Sequence, residues 1–111
     1  MLLPDNCKIW LNNNPTDMRK GVNGLSVIVV ENFTGSLQTG DLFIFHNKNR
    51  DKVKLLYYHF NGFCLLQKIL DKGVFKIPKT ITQHIELNMH QLNRLFEGLH
   101  FINKNNHDIF Y

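Results

Sequence analysis

Hydrophobic and polar positions divide the chain into short segments. Cys7, Ile9 and Leu11 alternate with Lys8 and Trp10, the period of a short strand with one buried face. Asn12-Asn13-Asn14-Pro15 is a turn, because Pro15 holds Asn14 out of helical geometry. Thr16 or Asp17 then has the side chain to cap a helix. Met18, Val22, Leu25 and Val29 follow at helical spacing and form one stripe. Gly21 and Gly24 fall inside that stripe. Each costs about 1 kcal/mol relative to alanine in a helix interior, so a close neighbour is expected against them. Residues 26–30 alone would also suit a strand, but the longer periodicity favours one long helix.

Residues 33–40 read as a loop with a glycine near each end. Residues 41–46 are a continuous apolar run, expected as a strand covered on both faces. Residues 47–52 form a polar, basic turn into a strand over 53–60. Asn61-Gly62 is a hairpin signal, since both turn residues need positive φ. It predicts a partner strand over 63–70, with Phe60 opposite Phe63, Tyr58 opposite Leu65 and Leu56 opposite Gln67. After the turn Asp71-Lys72-Gly73, residues 74–77 are expected as a fourth strand ending at Pro78. Residues 84–87 alternate like an edge strand. Asn88 with Gln91 resembles a capping box, and Met89, Leu92, Leu95, Phe96 and Leu99 form a helical stripe closed by Gly98. The expected fold is α+β. It is an antiparallel β-meander of about four to six strands, a long N-terminal helix packed on one face, and a short C-terminal helix. Residues 1–102 make one domain, and the asparagine-rich residues 103–111 read as a loose tail.

Composition supports one globular domain: 111 residues, 43% hydrophobic, nine phenylalanines. The net charge of +4 tilts toward nucleic acid or another acidic partner. Cys7 and Cys64 sit in apolar runs outside any Cys-x-x-Cys pair. They read as buried reduced thiols, the alternative being one disulfide in a secreted protein. The N-terminus has no basic segment leading into an apolar one, and the apolar run at 27–30 is too short to span a bilayer. A cytoplasmic protein without membrane partners is expected.

Two stretches have chemistry suited to anions. Arg19 and Lys20 lie near the positive end of the predicted helix, where free N–H groups and cations together would hold a phosphate. Arg19 could equally pair with Asp17 or another carboxylate. The basic hairpin supplies Lys48, Arg50, Lys52 and Lys54, with Lys68, Lys72 and Lys76 on neighbouring segments. Such a cluster can track a phosphate backbone, with Tyr57, Tyr58, Phe60 or Phe63 as stacking surfaces. Lysines also decorate the solvent face of many sheets. Enzyme chemistry finds less support. Among the six histidines no pair has the i, i+4 spacing of a zinc site, so no metal or cofactor is expected. Asp17, Asp41, Asp51 and Asp71 flank turns, where aspartates serve local purposes, whereas a two-metal nuclease needs converging carboxylates. The chain is read as a non-enzyme.

Several strings occur in one order and spacing from Trp10 to Phe101. They are Thr16-Asp17-Met18-Arg19-Lys20-Gly21, Gly40-Asp41-Leu42-Phe43, Asn49-Arg50-Asp51-Lys52-Val53-Lys54, Gly62-Phe63-Cys64-Leu65, Lys72-Gly73-Val74-Phe75 and Glu97-Gly98-Leu99. This resembles the TnpB-type accessory protein, from the second reading frame, of bacterial insertion sequences of the sixty-six type. It is distinct from the RNA-guided nuclease that shares the label. The resemblance implies a role in transposition beside a separate, larger transposase, and no reaction of its own. DNA is one implied partner; docking on the transposase or another transposition protein is the alternative. The chain departs from the pattern at Tyr57-Tyr58, where two tryptophans are usual, at Ile69, where arginine is usual, and at Phe101, where tryptophan is usual.

Overall fold

The computed structural model describes residues 6–33 and 40–102. The elements are β1 (Ile9–Leu11), α1 (Val22–Asn32), β2 (Leu42–His46), β3 (Lys52–His59), β4 (Gly62–Ile69), β5 (Ile85–Leu87) and α2 (Met89–Phe96). The strands form one sheet in the order β4-β3-β2-β1-β5. β2, β3 and β4 are the expected antiparallel meander. β1 runs parallel to β2, and β5 closes the other edge antiparallel to β1.

The sheet is therefore mixed, not a pure antiparallel meander. The reason lies between β1 and β2. Parallel neighbours need a crossover, and α1 supplies it. α1 covers one face, where Leu25 and Val29 pack on Phe43, Phe45 and Leu56, with Met18, Trp10 and Phe33 at the margin. On the other face Ile9, Leu11, Leu42, Ile44, Val53 and Leu55 meet Leu92 and Leu95 of α2, together with Phe75, Ile77 and Phe101. All five residues of β2 are buried because both its faces are covered, as its unbroken apolar run requires.

The long N-terminal helix does not form. α1 has eleven residues and starts at Val22, with Gly21 as an N-cap that makes no side-chain bond. The stretch before it closes a turn instead. The Asp17 carboxylate accepts the Arg19 N–H at 2.9 Å, and the Lys20 N–H bonds the Asp17 carbonyl at 3.1 Å. Asp offers the backbone this local alternative to a helix. α2 keeps its predicted capping box: Gln91 N–H to Asn88 Oδ1 at 2.8 Å and Asn88 N–H to Gln91 Oε1 at 2.9 Å.

Residues 74–77 are not a strand. Phe75 N–H bonds the Arg50 carbonyl at 2.7 Å, and Phe75 and Ile77 are buried on the α2 face. The segment crosses the sheet face, so its apolar alternation reflects burial without ladder pairing. The β3–β4 turn also differs from expectation. Its central residues are Phe60 and Asn61, and the ladder pairs His59 with Gly62, Tyr58 with Phe63 and Leu56 with Leu65. Phe60 takes the positive φ, at 56°. Partners move by two residues, so every side chain keeps its predicted face. The bond from Leu70 N–H to the Asp51 carbonyl at 2.8 Å fixes this register at the base of the hairpin. The expected loop at 33–40, except its end residues, and the expected tail at 103–111 lie outside the described residues.

Candidate nucleic-acid interface

The end of the sheet where β2 passes into β3 carries two ordered turns. The first holds the string from Thr16 to Gly21. Buried Thr16 donates its N–H to the His46 carbonyl at 2.7 Å, hooking the segment to the end of β2. The Asn12 side-chain amide reaches the Asn14 carbonyl at 3.0 Å and Thr16 Oγ1 at 3.3 Å. Buried His46 places Nε2 2.9 Å from the Asn12 carbonyl. A carbonyl only accepts, so Nε2 carries the proton. Burial pushes the His46 pKa below the usual imidazole value. At the far side of the turn, Lys54 Nζ donates to the Lys20 carbonyl at 2.7 Å. A Cβ on Gly24 would stand 3.1 Å from the Lys20 Cβ and Cγ, so this glycine makes room for the lysine stem. Gly21 has no such neighbour.

Arg19 and Asp17 form the one salt bridge found among the described residues, Nη2 to Oδ2 at 2.7 Å, with Nε at 3.1 Å from both oxygens. The bonds from Arg19 hold the Asp17 carboxyl well below its usual range, and the same pairing pushes Arg19 up. The Arg19 side chain is nonetheless 91% exposed, so its outer face remains open to an anion.

The second turn, at 47–52, is organised by Asn47. Its Oδ1 accepts the N–H groups of Asp51 at 3.1 Å and Lys52 at 3.0 Å, and its amide donates to Asp51 Oδ1 at 2.6 Å. Arg50 takes a left-handed φ of 60°, and its Nη1 donates to the Ile77 carbonyl at 3.2 Å. Asp17 thus pairs with Arg19, Asp51 with Asn47, and Arg50 with the Ile77 carbonyl. No group of three His, Cys, Asp or Glu placed to hold a metal occurs among the described residues.

Three open depressions run along this end of the molecule. The first, about 480 Å³, is lined by Thr16, Asp17, Arg19, Asn47, Lys48 and Lys52, among others. The second, about 370 Å³, shares Asn47, Lys48 and Asn49 with it and adds Pro15, Arg50 and Lys79. The third, about 380 Å³, shares Arg50, Ile77 and Pro78 with the second and adds Lys76. Shared walls make them one belt. Its lining cations are Arg19, Lys52, Lys48, Arg50, Lys79 and Lys76; its one lining carboxylate is Asp17, already paired with Arg19. Lys20, next to Arg19 in the chain, is exposed.

Of the residues singled out by sequence, Arg19, Lys48, Arg50 and Lys52 line this belt. Lys54 and Tyr57 are buried and do not reach its surface. Tyr58 is half-buried and packs edge-to-face on Phe63, ring centroids 5.0 Å apart, toward the opposite end of the hairpin. Gly62, Phe63 and Cys64 are at that end too. Lys68 is occupied elsewhere, its Nζ bonding the Phe96 carbonyl at 2.7 Å. Lys79 was not legible as a site residue. It follows Pro78 in an irregular segment with no periodicity, and only the fold brings it beside Arg50.

Fold and surface together define a small mixed-sheet domain with a cationic rim. The chain belongs to the family described as IS66 Orf2 like protein, whose model matches residues 7–106. This is a family of insertion-sequence accessory proteins. Two proteins of Sinorhizobium fredii (strain NBRC 101917 / NGR234), both described as uncharacterized, are similar. The chain is 31% identical to y4hO over 94 residues, covering 85% of this chain and 82% of that protein. It is 28% identical to y4jC over 92 residues, covering 83% and 79%. No solved structure matches the chain. No helix among the described residues is long and apolar enough to cross a membrane.

Proposed function

We propose that this accessory protein acts in transposition by binding DNA, without catalysis, and that the basic belt follows the phosphate backbone. The observation that carries this reading is the continuity of the belt from Arg19 to Lys76, with a single carboxylate that is already neutralised. Arg19, Lys20, Lys48, Arg50 and Lys52 are the proposed phosphate contacts, joined by Lys76 and Lys79. Lys54 serves by pinning the Lys20 carbonyl. Neither Tyr57, which is buried, nor Tyr58, away from the belt, is needed as a stacking platform.

The test is fluorescence anisotropy with a labelled duplex of an element end, repeated across a salt series. If about four phosphates are engaged, log K should fall against log salt with a slope of about −3.6. Lys48→Ala should weaken binding to all sequences alike and make the slope shallower by about one. Salt-independent binding, or a Lys48→Ala protein that binds like wild type, overturns the reading. A pull-down with the transposase after nuclease treatment addresses the other role. A complex that survives, with no DNA binding by the isolated chain, would replace DNA contact by protein docking.

A further inference from the structure

The two edges of the sheet are guarded differently. β5 is only three residues long, which is one ordinary way to blunt an edge. β4 is eight residues long, contains no proline, and pairs with β3 without a bulge. Its outer side has no strand beside it among the described residues. It also carries exposed apolar side chains: Phe63, Leu65, Leu66 and Ile69 are 42, 36, 40 and 56% exposed. A long edge with exposed apolar side chains is a template for another strand.

The ladder shows which groups are free. In an antiparallel hairpin, bonded and non-bonded pairs alternate. The bond from Leu70 N–H to the Asp51 carbonyl marks residue 70 as facing β3. Alternation then points the main-chain groups of Phe63, Leu65, Gln67 and Ile69 outward. Cys64, Leu66 and Lys68 bond inward.

We propose that β4 pairs antiparallel with β4 of a second copy of this chain, about a two-fold axis at Leu66. In this register Phe63 meets Ile69 of the other copy, and Leu65 meets Gln67. Each outward-facing residue exchanges both its N–H and its C=O bond, so no free group is left among the four. Leu66 meets itself as a non-bonded pair. Charge favours the same occupant. The outward-bonding positions are all uncharged, and the single charged residue, Lys68, faces Cys64 of the other copy while its Nζ stays on the Phe96 carbonyl. No like charges oppose each other. Within β4 itself a nucleic-acid backbone would find a single cation, Lys68, already bonded to the Phe96 carbonyl. The pairing would join two five-stranded sheets into one of ten strands. Ile69 lies beside Lys52 of the belt and Gln67 lines its first depression, so the pairing would bring the two belts to either side of the two-fold axis, a bivalent arrangement.

Sedimentation velocity on the full chain, without DNA, is the first test. Wild type should sediment as a dimer, as should Val30→Lys, a change on the exposed face of α1. Leu65→Lys combined with Ile69→Lys should sediment as a monomer with an unchanged circular dichroism spectrum. A wild-type monomer throughout the micromolar range, or a dimer in the double variant, overturns the proposal. The register is tested in a Cys7→Ser, Cys64→Ser background. A non-bonded pair brings Cα atoms about 4.5 Å apart, within disulfide range. Leu66→Cys should therefore crosslink to itself under mild oxidation. Ile69→Cys should not, because its copy lies six residues along the strand, roughly 20 Å away. Equal crosslinking of the two, or none at Leu66→Cys, overturns it.

Discussion

His46 shows how one residue ties the motif to the sheet and makes stability depend on pH. Its buried ring is held neutral, its pKa lowered from 6.5. His84 shifts in the same direction through burial, and its Nδ1 accepts the Asn13 N–H at 3.2 Å, which requires an unprotonated nitrogen. The unfolded chain binds more protons than the folded one below the ordinary imidazole pKa. Stability is then fully present above about pH 6.5 and declines as pH falls through and below it. Urea melts at neutral pH and at about pH 5.5 should show the midpoint falling on acidification. His46→Gln, which keeps an amide donor for the Asn12 carbonyl, should reduce that fall. An unchanged pH dependence in the variant would mean that His46 binds its proton equally in the folded and unfolded chain and that the fall comes from other groups. Lys54 offers a contrast at the same scale. Removing it by Lys54→Ala deletes the part-buried bond to the Lys20 carbonyl, and a hydrogen bond made by a charged group contributes about 1.5–3 kcal/mol. Thermal or urea melts should report the loss, while the salt slope of DNA binding should change less than for Lys48→Ala, whose side chain is exposed.

At the scale of elements, legibility followed how local the deciding forces were. α2 was readable because its cap is local: Asn88 and Gln91 satisfy each other's backbone donors within one turn. Asn88→Ala should cost about 1 kcal/mol, visible as a lower urea midpoint with an unchanged slope. β2, β3 and β4 were readable from burial and alternation. α1 is shorter than its apolar stripe because two local signals compete at Asp17. The apolar stripe runs back to Met18, but the Asp17 side chain closes a turn first, and Met18 is packed beside α1 without being part of it. Residues 74–77 alternate as a strand would, yet they lie across a face where burial is available and a ladder is not. The parallel pairing of β1 with β2 had no local signature at all. It follows from where the chain returns after α1, a long-range fact. Gly24 was the better-read glycine: its suspected close neighbour is the Lys20 stem.

At the scale of the whole molecule, the belt unites residues that sequence separates by more than fifty positions. Arg19 and Lys76 fall at the two ends of one belt only because the turn at 17–20 hooks onto β2, while the 73–78 segment hooks onto Arg50. Asp17 is the one lining carboxylate, and it tests whether the belt acts through its summed field. Asp17→Asn raises the net charge from +4 to +5. The asparagine Oδ1 can still accept the Arg19 N–H that closes the turn, so the local fold has no reason to change. The lost ion pair is at the surface, and pairs of that kind add little stability, so the melting temperature should barely move. What changes is Arg19, released to face a phosphate. DNA affinity should rise several-fold at low salt, with a steeper salt slope, and the gain should shrink as ionic strength screens the field. Measured beside Lys48→Ala, the two variants should move affinity in opposite directions on the same duplex. A weaker-binding Asp17→Asn with an unchanged melt would instead mean that the ion pair presents Arg19 to its ligand, so that its geometry outweighs the belt's total charge.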